Sequence, residues 1–539
     1  MNAKELREQA ENLFGKRSQL LCMWQSIAEN FYPTRAHFTV KANLGEDFAS
    51  NLATSYPLLV QRDLGNTLGS MLRPTSQPWF HTRVADARLD SDIEARQWLE
   101  WAEGVQRRAM YDPVAQFTRA TKEGDHDYSA FGQCVISVEM NRRKAALLYR
   151  CWHLRDVVWF ENSDGAIGGV FRKWKPTART LRTMFPATAD SKIWAEKDPF
   201  CEYDCYHMVV ESDMYDNGRF KTPYVSIYYD CTHNKVLEEV GCSDLIYVVP
   251  RWQTVSDSQY AYSPATVAGL PEARLLQAMT STLLEAGEKM TNPPMIAVQE
   301  AIRSDIDIQA GGVTWVDAAY DERMGEVFRP MTLDRSGMPI GMDMQKDSRA
   351  VLMEAFYLNK FGMPPRNAEM TAFEVSHRVQ EYIRQALPIF EPMEQDYNGQ
   401  LCNMTFTRLQ ENVAYGDPRA MPRMLRERDV TFTFVSPLHD AIEADKGNRL
   451  GQAIALTSQV TGIDPRAAKV LDFTVALRDA LLATVPANWQ RTPEVIAQIE
   501  EAENQQAATA SLLQQMQAGA DVAKTAGEAA SAFAGAQTE

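Results

Sequence analysis

The spacing of apolar residues changes along the chain and divides it into helical and β-rich stretches. In residues 1–32 apolar side chains return every three or four positions, and Pro33 ends the pattern. The same helical period recurs over Tyr56–Met71 and over residues 91–131. The pattern therefore predicts a helical N-terminal part.

From Gly132 the period falls to two, which is typical of strands with one buried face. Asp164-Gly165 and Asn217-Gly218 favour hairpin turns between such strands. These signals predict a β-rich domain over residues 132–250, with an embedded helix near Ala178–Phe185. Strands are expected at Val135–Val138, Leu147–Tyr149, Val157–Phe160, Cys205–Val210, Tyr224–Tyr229 and Leu245–Val249.

Two long helices that bracket a small β insert are predicted in the middle of the chain. The first covers residues 263–291, with Ser263 as a good N-cap and Pro264 in the first helical position. The second covers residues 343–361, and short strands and loops occupy residues 295–342 between them. The first helix has a broad apolar face formed by Val267, Leu270, Leu275, Leu276, Met279, Leu283, Leu284 and Met290.

A capping box at Thr371–Glu374 predicts the start of another helix, which reaches about Val413 with kinks at Pro388 and Pro392. A short strand is expected at Thr431–Phe434.

The C-terminal part is again helical in period over residues 439–500. Residues 504–539 contain twelve alanines and several glutamines. Such a segment is either a disordered or weakly helical tail, or a helix that becomes stable only when copies pack around an axis. The composition leaves both interpretations open.

Composition narrows the class of protein. Of the 539 residues 45% are hydrophobic and 23% charged, which is ordinary for a folded chain and excludes global disorder. The length predicts several domains, or one elongated body with segregated parts. The net charge of −16 lacks the basic excess of proteins that grip nucleic acid. If DNA meets this protein, an acidic wall should let it slide rather than hold it.

Motifs for catalysis, targeting and membrane insertion are missing from the sequence. There is no P-loop, nucleophile elbow or zinc helix. The N-terminus lacks the apolar core of a signal peptide, and no apolar run is long enough to predict a membrane span. The eight scattered cysteines indicate reduced thiols in a cytoplasmic protein.

Two short segments are weak candidates for chemistry. Asp125-His126-Asp127 places an imidazole between two carboxylates, although a solvated helix end is the favoured interpretation. Residues 213–218 faintly resemble a calcium loop, but Tyr215 stands where an oxygen ligand is needed, so a hairpin turn is favoured. Buried thiols rather than zinc ligands are expected at Cys201, Cys205, Cys231 and Cys242.

Four groups of residues, spread over nearly the whole chain, resemble one known family. They are Gly65–Pro74 with Gln77–Phe80, Gly124–Val138, Arg251-Trp252 with Tyr260–Ala265, and Met370–Val375. Each is weak alone, but in this order they resemble the portal, or head-to-tail connector, proteins of short-tailed bacteriophages (podoviruses).

The resemblance implies an α+β, mainly helical fold with the portal architecture, assembled as a closed ring. The wing would comprise residues 1–262, and the crown residues 436–500. The other parts would be a first stem helix (263–291), the clip (292–342), a second stem helix (343–361), the tunnel loop (362–371), a long helix with the wing return (372–435), and a C-terminal barrel helix or tail (501–539).

The resemblance also implies a function. A ring, usually of about twelve subunits, would sit at one capsid vertex as the channel for genome packaging and DNA ejection. Double-stranded DNA, the terminase large subunit, the major capsid protein, the scaffolding protein and the tail adaptor would be its partners. The protein would be found in the virion, and in the host cytoplasm during assembly.

No catalytic, cofactor or metal site is expected, and the protein is predicted not to be an enzyme. The hypothesised DNA-facing residues are Arg366, Asn367, Lys346 and Arg349. For Lys346 and Arg349, salt bridges between subunits or simple exposure are equally compatible with the sequence.

Two other classes stay open. Another oligomeric phage structural protein is one, although two helices around an insert argue against a tail tube or internal head protein. A cytoplasmic enzyme with a dispersed site is the other, because active sites often assemble from residues far apart in sequence.

Overall fold

The computed structural model describes residues 1–434 with gaps. The larger gaps lie at residues 46–51, 85–91, 142–145, 190–197, 332–336 and 362–390, in most of 298–327, and in most of 417–429. The predictions for the tunnel loop, for Pro388, for residues 439–500 and for the alanine-rich tail therefore lie outside the described residues.

The helix predicted over the first 32 residues is two helices, α1 (Ala3–Lys16) and α2 (Ser18–Phe31). A capping box at the start of α1 satisfies its first free amides. The break falls at Arg17, whose buried guanidinium donates to the carbonyl oxygens of Leu154 (2.8 Å) and Val157 (2.7 Å). Helical periodicity alone does not indicate such a tertiary anchor.

The next segment contains α3 (Tyr56–Leu72), as predicted, and β1 (Phe80–Val84). The helical character predicted for residues 91–131 is confirmed, and it belongs to two separate helices, α4 (Ile93–Met110) and α5 (Phe117–Phe131). Gln116 between them has a left-handed backbone with φ +56°, which no α-helix accommodates.

Residues 132–250 are rich in strands, as predicted, and these strands form two antiparallel sheets. The embedded helix is confirmed as α6 (Ala178–Met184), capped by Thr177. The strands are β2 (Val135–Asn141), β3 (Ala146–Trp152), β4 (Val157–Glu161), β5 (Ile167–Trp174), β6 (Cys205–Glu211), β7 (Tyr224–Asp230), β8 (Lys235–Cys242) and β9 (Tyr247–Val248). Their order is β3-β2-β9 in one sheet and β4-β5-β6-β7-β8 in the other.

One of the two predicted hairpin turns is correct. Gly165 has φ +76° in the short β4–β5 connection. Asn217-Gly218 instead lies in a 3-10 turn inside the longer β6–β7 connection, residues 212–223, so a tight hairpin there is wrong. Both segments contain residues with a left-handed backbone, which Asp, Asn and Gly favour. Asp164-Gly165 and Asn217-Gly218 therefore look alike in sequence although they form different turns.

One apolar core lies on a face of the five-stranded sheet, where α1 packs against it. Leu6 and Ala10 of α1 are fully buried against side chains of three strands, Val158, Phe171 and Met208. Burial of such side chains contributes roughly 1.5–3 kcal/mol each.

The first long helix begins as predicted at Ser263, whose Oγ accepts from the Thr266 amide (3.1 Å). A π-helical turn at Ala265–Gly269 precedes the regular helix α7 (Leu270–Thr291). In the predicted insert that follows α7, β10 (Met295–Ala297) pairs antiparallel with β11 (Phe328–Pro330).

The second long helix, α8 (Gly337–Ala355), begins six residues before the predicted start at residue 343. Pro339 lies in its first turn, where a missing amide is tolerated. The helix also ends earlier than predicted, because Tyr357 has φ +59°, and a separate turn, Leu358–Phe361, follows.

The last described elements are α9 (Gln400–Glu411), which continues a helical segment from Glu391, and β12 (Val430–Phe434). The predicted strand at this point is confirmed, and the predicted helix end at Val413 is two residues too late. The α+β fold class is confirmed.

The chain forms two compact units. One comprises residues 1–81, 103–418 and 431–441, and includes both sheets of the β-rich domain and the helices α7, α8 and α9. The other comprises residues 82–102, 419–430 and 442–539. Its described part has an apolar cluster of Val84, Ala95, Leu99 and Leu425, with Trp98 and Met421 packed against it.

Candidate functional site

The helices α7 and α8 pack against each other and form the helix pair that the sequence predicted. The Gln345 amide donates to the Thr280 hydroxyl across the pair (2.8 Å). Gly341 permits the close approach, since a Cβ there would lie 2.9 Å from a Leu283 methyl group. Leu352 is fully buried along the pair.

The helix pair is fixed at its base to the N-terminal part of the chain. The Gln277 side chain makes two hydrogen bonds of 2.9 Å with the Thr54 backbone. Arg274 donates to Ser26 Oγ at 2.7 Å. Phe356, at the end of the pair, is buried with its ring 5.2 Å from that of Phe31. These contacts hold the base of both helices rigidly.

Many large apolar side chains of the helix pair nevertheless face solvent in the single chain. Large exposed apolar areas on a protein usually mark contact with another surface. In the sequence, this exposed surface is indicated by the apolar face of α7, which is too wide for a single neighbouring helix to cover. The exposed side chains, between 45% and 63% accessible, are Val267, Leu275, Leu284, Ile340, Met342, Met344 and Val351.

Lys346 lies on the exposed surface of α8. Its side chain is 74% accessible and its Nζ is 3.3 Å from Asp343 Oδ1, on an equally exposed carboxylate. An exposed ion pair of this kind contributes little to stability and constrains the lysine weakly. A role in contacting DNA therefore stays a prediction for this residue.

Arg349, one turn further along α8, has a different environment. Its guanidinium lies over the Tyr56 ring, 5.3 Å from the centroid, and the Tyr56 hydroxyl donates to the Arg349 carbonyl oxygen (3.3 Å). This geometry favours a role in holding α8 against α3. Arg366 and Asn367 lie outside the described residues.

The helix pair has a small net negative charge. Together α7 and α8 carry six acidic and four basic residues, and this excess is in proportion no smaller than the net charge of −16 over the 539 residues of the chain. Lys289 is 2.6 Å from Glu285 and lowers the pKa of that carboxyl through their hydrogen bond.

The Asp125-His126-Asp127 segment is not a solvated helix end, and that interpretation is wrong. It lies inside α5, and both carboxylates are almost fully buried. Asp125 pairs with the buried Arg73, which also donates to the Asn398 side chain (2.7 Å). This network joins α3, α5 and the helical segment before α9.

Asp127 forms its ion pair with a different arginine, on another side of α5. It accepts two hydrogen bonds from the Arg35 guanidinium, at 3.0 and 2.7 Å. The His126 ring does not face Arg35 or Arg73. It packs beside the Tyr32 ring. The segment therefore forms structural ion pairs and has no arrangement for acid–base or metal chemistry.

Other sequence candidates also have structural roles. In the turn after β6, Arg219 lies near the carboxylates of Asp216 (3.8 Å) and Glu239 (3.6 Å), which is unlike a calcium loop. No group of three or more His, Cys, Asp or Glu side chains among the described residues could hold a metal ion. All eight cysteines are free thiols, with Cys205 and Cys242 buried.

Cys201 and Cys231 are only half-buried, so the expectation of buried thiols is correct for Cys205 and Cys242 alone. Within the part of the chain that the structure describes, no helix has the length and apolar character to cross a membrane.

Comparison with known proteins extends the similarity over most of the chain. A model of the family described as "Bacteriophage head to tail connecting protein" matches residues 3–487. The probable portal protein of Bordetella phage BPP-1 is 24% identical over 483 residues, 85% of this chain and 82% of that protein. The portal protein of Salmonella phage epsilon15 is 21% identical over 550 residues, 97% of this chain and 95% of that protein.

Among solved structures, a chain from the neck of an empty GTA particle is 10% identical with a TM-score of 0.37, and covers 79% of this chain and 95% of that one.

Proposed function

The chain belongs to the family of bacteriophage head-to-tail connecting proteins and functions as a phage portal, and on that premise we propose that twelve copies close into a ring. Double-stranded DNA passes through the ring during packaging and ejection. The observation that carries the proposal is the family match over residues 3–487, which includes the helix pair with its solvent-facing apolar side chains.

The helix pair supports a ring because its apolar side chains need a second surface. Buried apolar area contributes roughly 25 cal/mol per Å², so covering such side chains with a neighbouring copy favours association. The same pair is fixed at its base by Gln277 and Arg274, so each copy presents a rigid surface. Identical head-to-tail contacts between rigid copies close into a ring when the rotation matches.

DNA contact is assigned to two places. Lys346 is the exposed cation of α8, and Arg366 with Asn367 belongs to the proposed tunnel loop, residues 362–371. A few cations within an acidic assembly guide the phosphate backbone without holding it. Arg349 is assigned to anchoring of α8 instead.

The partners follow from this function. We propose that the ring occupies one vertex of the capsid, after assembly in the host cytoplasm, and meets the major capsid protein and scaffolding protein there. The terminase large subunit, which hydrolyses ATP, and later the tail adaptor dock on the insert between α7 and α8. The chain itself has no P-loop, so the proposal gives it no catalytic step.

The test is complementation of a phage that lacks this gene. Wild-type chain supplied in the host should restore particles with nuclease-resistant DNA. Arg366→Ala should form rings of normal mass but fewer DNA-filled particles, and Arg119→Ala, an exposed arginine of α5, serves as the matched control. Filled particles without the chain would refute the portal function, and normal filling with Arg366→Ala would refute only that residue's role.

A further inference from the structure

The exposed apolar side chains of the helix pair point to two opposite sides of it. An α-helix turns about 100° per residue, so residues two apart point in nearly opposite directions and residues seven apart in nearly the same direction. On α8, Ile340 and Met342 are two residues apart and are 63% and 54% exposed. These two side chains therefore belong to different faces of α8.

The first face, face B, is on the side of the pair that packs on the N-terminal part of the chain. Arg349 is seven residues after Met342, and its guanidinium lies over the Tyr56 ring. On α7, the exposed Leu284 is seven residues after Gln277, whose side chain binds the N-terminal part. Face B therefore consists of Leu284, Met342 and Arg349, with the two apolar side chains left uncovered.

The second face, face A, is on the opposite side of the pair. The exposed side chains of Ile340, Met344 and Val351 lie within about 40° of one another around α8. Asp347 is seven residues after Ile340 and shares their direction. On α7, the exposed Leu275 is two residues before the glutamine that binds the N-terminal part, so it points away from that part. These five residues form face A.

The two faces are complementary in chemistry at the same heights along α8. Each has an apolar side chain near the start of the helix, Ile340 on face A and Met342 on face B. One to two turns later each has a charge, which is negative for Asp347 and positive for Arg349. Within the described part of the chain, neither charge is in an ion pair, although Arg349 contacts an aromatic ring. Face A therefore matches face B, whereas face A against face A would bring two carboxylates together.

We propose that face A of one copy packs on face B of the next copy around the ring. Ile340 then meets Met342 of the neighbour, and Asp347 meets Arg349. The inference rests on the proposed function, which supplies the ring, and adds which surfaces meet. Two different surfaces on opposite sides of a rigid element give a head-to-tail contact that can repeat until the ring closes.

Disulfide cross-linking of the assembled full chain tests this contact. In a Cys22→Ser background, which removes an exposed thiol, the variant Ile340→Cys/Met342→Cys has one cysteine on each face. The two cysteines point to opposite sides of one helix, so they cannot join within a chain. Oxidised rings should therefore give, on a denaturing gel, a ladder of two, three and more covalently linked copies.

The matched control is Ile340→Cys/Met344→Cys, whose cysteines are both on face A. It should give no links between copies, and neither should either single variant. Linked pairs of copies from Ile340→Cys alone would show that face A meets itself and would overturn the proposal. Rings of normal native mass that give no ladder would overturn this contact and leave the portal function standing, whereas a wild type that forms no ring would overturn both.

A charge reversal gives a second test that needs no cysteine. Asp347→Arg would place two positive charges together across the contact, so the concentration at which the rings dissociate should rise at least about tenfold. Glu285→Arg, on the exposed surface of α7 outside both faces, is the control and should leave that concentration unchanged. Equal dissociation of the two variants would overturn the proposed position of Asp347.

Discussion

At the scale of residues, several charged side chains of the interior are fixed by partners far away in sequence. Asp125 with Arg73 is a buried ion pair, and Asp127, also buried, pairs with the partly exposed Arg35. Removing one member of such a pair leaves an uncompensated buried charge, which typically costs about 3–5 kcal/mol. These residues act by positioning the elements around the β-rich domain.

His153 is expected to make stability depend on pH. Burial, with Arg35 and Arg155 nearby, lowers the pKa of its imidazole to about 3 in the folded chain. The unfolded chain binds this proton near pH 6.5. Between these values the unfolded state therefore holds more protons, and folding stability falls as the pH drops, by up to about 1.4 kcal/mol per unit.

His153→Gln should lose less stability than the wild type between pH 6.5 and pH 3, because glutamine takes up no proton. Chemical denaturation at a series of pH values measures the free energy of unfolding for both. Parallel curves over this window would show that His153 does not titrate there.

Replacing Gly132 with alanine is expected to destabilise the fold for two reasons. Comparison with Gly165→Ala separates them. Its φ of +78° is left-handed, and a Cβ there would lie 2.6 Å from the Tyr262 carbonyl carbon. Gly165 has a similar φ of +76° with no atom within 4 Å. Gly165→Ala should cost about 1–2 kcal/mol, and Gly132→Ala about 1–3 kcal/mol more.

Urea denaturation of both glycine variants gives the comparison directly. Equal costs would mean that the backbone of Tyr262 moves away freely, so that only the left-handed conformation matters.

At the scale of elements, the helix pair is the surface through which we propose that copies associate. Leu284→Asp on α7 places a charge on an apolar side chain that is 56% exposed in the single chain. Because the position faces solvent, the fold should tolerate the change within about 0.5 kcal/mol. Assembly should fail, because the charge would be buried against a neighbouring copy.

Leu284→Met, which keeps the apolar area, is the control. Native mass spectrometry should find rings for Leu284→Met and single chains for Leu284→Asp, with equal unfolding midpoints. Full rings with Leu284→Asp would place the contact elsewhere.

Elements whose signal is local could be predicted from the sequence. The bounds of α3 and α6 agree with prediction to within a residue, because the apolar period defines both helices and Thr177 caps α6. The break at Arg17 could not be predicted, since its cause is a set of carbonyls about residue 155. Likewise, the partners of Asp125 and Asp127 come from other helices, so the segment looked solvated.

For the candidate site, too, features with a local signal could be predicted and tertiary contacts could not. The order of two helices around an insert was predicted correctly, because Ser263 and the apolar period of α7 are local signals. The different surroundings of Lys346 and Arg349 were not predicted, because Tyr56, which contacts Arg349, lies nearly three hundred residues away from it in sequence.

At the scale of the whole molecule, the single chain leaves apolar side chains of α7 and α8 exposed, and the proposed ring would cover them. The net charge of −16 per chain would then act on DNA through the assembly. Under this proposal, function depends on closure of the ring.

Negative-stain electron microscopy with native mass measurement, on the chain co-expressed with its phage's scaffolding protein, tests this most directly. The account predicts closed rings with a central hole and a mass of about 730 kDa, twelve chains of 60.8 kDa each. Single chains or open, irregular assemblies under these conditions would contradict it.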